Sequence, residues 1–238
     1  MEIIDVPSPN SGPRREGARP DLVVLHYTAM VSAEAALARL CDPEAEVSAH
    51  YLIGRDGRVW RLVAEAERSW HAGAGAWGAV ADVNSRSIGI ELDNAGPLAG
   101  FPPFPEAQMA ALDALIDGVR ARWDIPAARI IGHSDMAPGR KADPGPKFDW
   151  ARLARAGRAV RPVRRGAPVR ADEAALVAAL ERVGYRLPPE GLAPVLEAFR
   201  LRFRPTAWGS LRADGIDLAL AEALAAEHPC VDRGAAPA

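Results

Sequence analysis

An α/β fold, with a mixed central β-sheet flanked by helices and a small three-helix domain after it, is what this 238-residue sequence predicts. Three observations predict it. Short apolar runs rich in Val, Ile and Leu alternate with amphipathic stretches of helical period over residues 22–150, the pattern of strands exchanging with helices. Three amphipathic patterns, each bounded by Gly or Pro, then follow one another with no strand between them. Hydrophobic residues make up 49% of the chain, ample for a buried core at this length.

The first twenty residues are rich in Pro, Gly and charge and read as an extended arm. The run "DLVVLHYTA" has the compact apolar character of a buried strand, ending on His26. In "SAEAALARLCD", Ser32 is placed to cap a helix and Glu34 lies in its first turn, where a negative charge meets the positive end of the helix dipole. "SAHYLIGRDGRVWRLV" holds two apolar runs broken by Arg55-Asp56-Gly57, which predicts a hairpin, and "RSIGIELDN" adds a further strand. "PEAQMAALDALIDGVRARW" is a helix with Pro105 at its start and Met109, Leu112, Leu115, Ile116 and Val119 on one face. Arg129 to His133 forms the last strand and delivers His133 to the loop "SDMAPGRKADPGPKFDW".

From Ala156 to Pro168 the sequence loses hydrophobic period and carries four arginines, as a linker does. "ADEAALVAALERVGY", "GLAPVLEAFRLRFRP" and "DGIDLALAEALAAEHP" supply the three later helices. The expected division is therefore a first domain over residues 1–160 and a helical domain over 168–230.

With 29 basic against 31 acidic residues, the chain offers no electrostatic case for nucleic acid or an anionic membrane as partner. Cys41 and Cys230 stand far apart, without CxxC spacing, and read as ordinary thiols. No basic, apolar and small-residue leader is visible at the N-terminus and no apolar run is long enough to span a bilayer. The expectation is a cytoplasmic monomer, or a periplasmic one if a leader has been removed.

Two histidines, His26 and His133, each end a predicted strand, and Asp143 follows in a loop stiffened by Pro138, Pro144 and Pro146. Neutral imidazoles and a carboxylate suit zinc, and a catalytic zinc takes three protein ligands with a fourth position for water. His26, His133 and Asp143 supply that count. Rigidity around Asp143 fits, because a ligand on a loop costs ordering entropy when the ion binds. The plain alternative is two hydrogen-bonded strand-end histidines and a turn aspartate.

The segments "VVLHYTA", "SAHYLIGRDG", "SWHAG", "NSRSIGIELDN" and "IIGHSDMAPGRKADPGPKFDW", in that order, closely resemble the zinc-dependent N-acetylmuramoyl-L-alanine amidases, a group that also holds a phage lysozyme and the peptidoglycan recognition proteins. The likeness is greatest to the bacterial anhydromuropeptide amidases and covers residues 20–152. It implies that His26, His133 and Asp143 hold zinc, that Glu91 is the general base or acid, and that Lys141 stabilises the oxyanion. It also implies peptidoglycan fragments as the partner, cut at the amide between the lactyl group and L-alanine. Such chemistry needs a nucleophilic water, an electrophile for the carbonyl oxygen and a proton for the leaving amine. Some members of the group carry a tyrosine just before the position of His50, where this chain has Ala49. The base role then falls more firmly on Glu91.

Other residues have two readings. His50 lies on a core strand and reads as a support rather than a fourth ligand. His71 lines a substrate groove or is a loop histidine; Trp70 and Trp77 pack on a sugar face or cover the core. Arg140 binds a peptide carboxylate or is solvated, Asp93 and Asp135 read as turn or cap residues, and His228 as inert. The helical unit resembles a three-helix peptidoglycan-binding domain, with a plain stabilising bundle as its alternative. Two rival functions stay open: a metal-free peptidoglycan-binding receptor on the same fold, and a metallopeptidase cutting within the stem peptide.

Overall fold

The computed structural model describes residues 2–163, 166, 170–210 and 212–230. In chain order its elements are β1 (Ile3–Asp5), β2 (Ser11–Pro13), β3 (Leu22–Tyr27), α1 (Ala33–Leu40), β4 (Tyr51–Ile53), β5 (Val59–Arg61), β6 (Glu67–Ser69), α2 (Val83–Arg86), β7 (Ser87–Leu92), α3 (Glu106–Trp123), β8 (Ile130–Gly132), α4 (His133–Met136), α5 (Trp150–Arg155), α6 (Glu173–Val183), α7 (Leu192–Phe203) and α8 (Gly215–Glu227). A six-stranded sheet runs β1-β5-β4-β7-β3-β8, and β2 pairs with β6 in a two-stranded ribbon. Strands β4, β7, β3 and β8 are parallel, whereas β5 returns antiparallel to β4 through the hairpin that Arg55-Asp56-Gly57 predicts. The mixed central sheet flanked by helices is thus present.

Strands β3 and β7 are covered on both faces, which is why they read as apolar runs instead of alternating. Their side chains still divide by period two. Val23 and Leu25 face a core shared with Leu112, Ile116 and Val119 of α3, the stripe expected from the sequence. Leu22 and Val24 face the opposite way, into a core shared with Leu180, Phe199 and Leu224 of the three later helices. Helices α6 to α8 therefore form one face of the sheet's packing.

Register decides where the chemistry falls. His26 on β3 stands opposite Glu91 on β7, and Leu25 stands opposite Gly132 on β8. The carboxyl ends of three adjacent parallel strands thereby bring His26, Glu91 and the residue after Gly132 to one edge, where open parallel sheets bind ligands.

Several details differ from the sequence reading. The N-terminal arm is paired: β1 adds to the sheet edge parallel to β5, and β2 pairs with β6. Three-residue strands are too short to show periodicity. The guanidinium of Arg14, 8% exposed, anchors the arm by donating to the carbonyls of Glu65, Ser85 and Ser87. His133 is the first residue of a one-turn helix, α4, rather than the last of a strand. Arg158, at the start of the expected linker, is strapped to α3 by Asp113 and Asp117. Residues 164, 165 and 167–168 of that linker, and the expected start of the helical domain at 168, lie outside the described residues. Cys41 and Cys230 are both partly buried, and the sulfur of Cys230 accepts from the Arg129 guanidinium. Among the described residues no helix is long and apolar enough to cross a membrane.

Candidate metal centre

His26, His133 and Asp143, which are 1%, 3% and 5% exposed, meet at the carboxyl end of β3 and β8. Nδ1 of His26 lies 2.9 Å from Nδ1 of His133 and 2.9 Å from Oδ2 of Asp143, and the third side of the triangle is 3.0 Å. Local structure enforces this. Asp143 is followed by a cis peptide to Pro144, and its carbonyl accepts from the backbone N–H of Ser134, tying the loop back onto α4. Gly132 is required at the junction, because a Cβ there would stand 2.8 Å from the Pro144 ring.

The donor set fits a divalent cation of the zinc type. Nε2 of His133 lies 2.8 Å from the carbonyl of Ala72, which only accepts, so that nitrogen carries the hydrogen and Nδ1 presents a lone pair. Burial, and then the neighbouring His133, push His26 down to about 4, so it is neutral at pH 7. Lone pairs and a carboxylate oxygen facing one another at this distance call for a positive charge between them.

Glu91 stands beside this triangle. Its Oε2 is buried without a hydrogen-bond partner, and burial, reinforced by Asp143 and opposed by Lys141, raises its carboxyl to about 8. A buried carboxyl with a perturbed proton affinity in a cleft is the signature of a working group. Glu91 and the three residues of the triangle line a cavity of about 480 Å³, together with Trp70, His71, Arg140 and Lys141.

The expected site residues are thus gathered around one cavity, with differences of detail. His71 lines the cavity and also touches the triangle, its Nδ1 lying 2.9 Å from Nε2 of His26. Arg140 turns its guanidinium back to donate to the carbonyls of Ala72 and Ala74. Lys141 is exposed at the rim. Trp70 is half-buried in the cavity wall, whereas Trp77 is a core residue, 2% exposed and edge-on to Tyr185. His50 stays outside the triangle, its Nδ1 accepting from the Gly89 N–H and its Nε2 donating to the Glu67 carbonyl. Asp93 pairs with Arg55 at 3.2 Å, and Asp135 caps α4 by accepting from the Gly132 N–H.

Two contributors escape the sequence reading. Ala72 acts through its carbonyl, which no side-chain pattern reveals. Tyr27 follows His26 directly and lines the cavity, its phenol pushed up to about 12 by burial and the charge of Asp143. Its place next to a strand-end ligand was the available signal.

A mixed sheet that brings two imidazoles, a carboxylate and a second, proton-holding carboxyl to one cleft defines the class of metal-dependent hydrolases. The sequence profile of the N-acetylmuramoyl-L-alanine amidases matches residues 16–146, and the chain belongs to that family. It is 38% identical over 229 residues to the N-acetylmuramoyl-L-alanine amidase AmiD of Escherichia coli (strain K12), covering 85% of this chain and 81% of that protein. It is 36% identical over 165 residues to the 1,6-anhydro-N-acetylmuramyl-L-alanine amidase AmpD of Citrobacter freundii, covering 62% of this chain and 86% of that one. The solved complex of E. coli AmiD with anhydro-N-acetylmuramic acid-L-Ala-D-gamma-Glu-L-Lys superposes with a TM-score of 0.81 at 36% identity, over 94% of this chain and 93% of that one.

Proposed function

We propose that this protein is a zinc-dependent N-acetylmuramoyl-L-alanine amidase. It hydrolyses the amide between the lactyl group and L-alanine of peptidoglycan fragments, with 1,6-anhydromuropeptides as the preferred class. The observation that carries the reading is the buried triangle of His26, His133 and Asp143 with the unpartnered Glu91 carboxyl beside it. The AmiD complex supports the substrate class, since its ligand carries both the anhydro sugar and a stem peptide beginning with L-Ala.

In the proposed mechanism His26, His133 and Asp143 would hold a zinc ion, which would supply a Lewis acid for the scissile carbonyl and lower the pKa of a bound water to about 7. In its ionised form Glu91 accepts a proton from the attacking water and returns it to the leaving nitrogen. Its low-polarity surroundings hold that proton tightly enough to make both transfers feasible. Lys141 presents an ammonium at the rim of the same cavity, where it faces the negative charge that develops on the carbonyl oxygen. Trp70, His71 and Arg140 form walls against which the muropeptide lies.

The catalytic part spans residues 1–160 and the helical part 168–230. The second braces the first: Arg202 and Tyr185 both bond the carboxylate of Asp135, two residues after ligand His133. The protein works as a monomer on peptidoglycan fragments, without nucleic acid or membrane as partner.

Mass spectrometry of purified anhydromuropeptide after incubation tests the reading. Free peptide beginning at L-alanine supports it; shorter peptides would indicate a stem-peptide peptidase, and intact substrate with no bound zinc a receptor. Glu91→Gln keeps zinc and loses turnover by about 10²–10⁴-fold. Normal turnover in that variant removes Glu91 from the base role.

A further inference from the structure

We propose that His71 is a positioning residue for the metal centre. Ser87 and His71 form a hydrogen-bond chain that fixes which nitrogen of His26 faces the cation, and Asn84 and Gly89 build the seat for that chain. The inference rests on the reading that His26, His133 and Asp143 hold the ion.

The chain begins at a carbonyl, and this fixes its direction. Ser87 Oγ lies 2.5 Å from the Val83 carbonyl, which only accepts, so the hydroxyl hydrogen points there. Ser87 Oγ then accepts from Nε2–H of His71 at 3.0 Å. A neutral imidazole carries one hydrogen, so Nδ1 of His71 is a bare lone pair. That lone pair accepts from Nε2–H of His26 at 2.9 Å. The single hydrogen of His26 is thereby held on the side away from Asp143, and Nδ1 is left bare in the ligand triangle.

His133 reaches the same state by a shorter route, since its Nε2–H donates to the Ala72 carbonyl. Two consecutive residues, one by side chain and one by backbone, therefore orient both ligand rings. Their segment is itself pinned. Asn84 Oδ1 accepts from the backbone N–H of His71 at 3.1 Å and of Ala72 at 2.8 Å, and Ser48 Oγ accepts from that of Trp70 at 2.9 Å. A Cβ at position 89 would stand 2.4 Å from the His71 ring, so β7 carries glycine where the ring crosses it. Asn84, Ser87 and Gly89 do not line the cavity, yet each acts on the ring that does. Partners that orient a ligating imidazole are typically worth roughly 10–100-fold in metal affinity.

The test compares wild type, His71→Leu and His71→Asn, each stripped of metal and then titrated with zinc against a competing chromogenic chelator. Imidazole ¹⁵N spectra of the metal-free proteins provide a second readout. His71→Leu weakens zinc binding by roughly 10–100-fold. His71→Asn, whose Oδ1 restores an acceptor near the lost Nδ1, recovers most of that loss. The wild-type spectra show hydrogen on Nε2 of His26, His71 and His133.

Zinc affinity in His71→Leu equal to wild type overturns the proposal. So does an Asn variant no better than Leu, or a wild-type His26 with its hydrogen on Nδ1. Should His71→Leu fail to fold, Ser87→Ala carries the same decision: weaker zinc binding supports the chain, unchanged binding overturns it. Wild type that binds no zinc sinks the ligand assignment instead, and the tautomers still judge the chain.

Discussion

Asp135 and Asp143 are both buried carboxylates at the end of β8, and they have opposite surroundings. Asp135 is met by donors: the Tyr185 hydroxyl at 2.5 Å, the Arg202 guanidinium at 3.0 Å and the Gly132 N–H at 2.8 Å. Asp143 turns its Oδ2 towards Nδ1 of His26 and of His133, of which the second already spends its hydrogen on the Ala72 carbonyl. The first carboxylate is complete without any further partner; the second sits in a buried His/His/Asp group whose geometry suits a cation. Proximity of polar groups does not separate a structural cluster from a metal site, whereas the balance of donors to acceptors does.

The sharpest way to break this contrast is to remove one member from each cluster. His133→Ala loses zinc binding and turnover together while the metal-free protein stays folded, as zinc titration and a urea melt with chelator show. Asp135→Ala does the reverse. It leaves the Arg202 guanidinium buried and unpaired, so unfolding becomes easier by about 3–5 kcal/mol while the folded fraction still binds zinc. Equal losses of zinc affinity in both variants would erase the distinction.

Glu91 sharpens the contrast through pH. Its folded carboxyl is raised from 4.5 to about 8, so the metal-free folded state holds the proton more tightly than the unfolded chain does. The stabilisation is full below the unfolded value and is lost as pH rises through the folded one. Metal-free wild type therefore loses on the order of 3 kcal/mol, relative to Glu91→Gln, between pH 5 and pH 8. Parallel stability profiles for the two proteins would refute this. The smallest effect is expected for Tyr185→Phe, which removes one of three donors to Asp135 and costs about 1 kcal/mol in a urea melt with zinc affinity unchanged.

Much of the site was legible because its residue types are specific and its frame is periodic. The apolar runs ending on His26 and Glu91, and the proline-stiffened loop holding Asp143, announce themselves in one dimension. So does the α3 stripe from Met109 to Val119, because a helix of that length repeats its pattern several times. Strands β1, β2 and β6 span three residues each and leave no such repeat. Asn84, Ser87 and Gly89 were visible as a motif, but their purpose depends on a ring donated by a distant segment. The pairing of Asp135 with Arg202 was equally hidden, since 66 intervening residues separate a turn aspartate from a helical arginine. Sequence gives the residues of such a pair but not their meeting.

Leu22, Val24 and Ile131 share their packing with Leu180, Phe199 and Leu224 of the later helices. Shortening the protein to its first 160 residues would strip an oily sheet surface of its cover, and the fragment would clump when concentrated. Engineers wanting a smaller reagent must first repaint that surface with polar side chains.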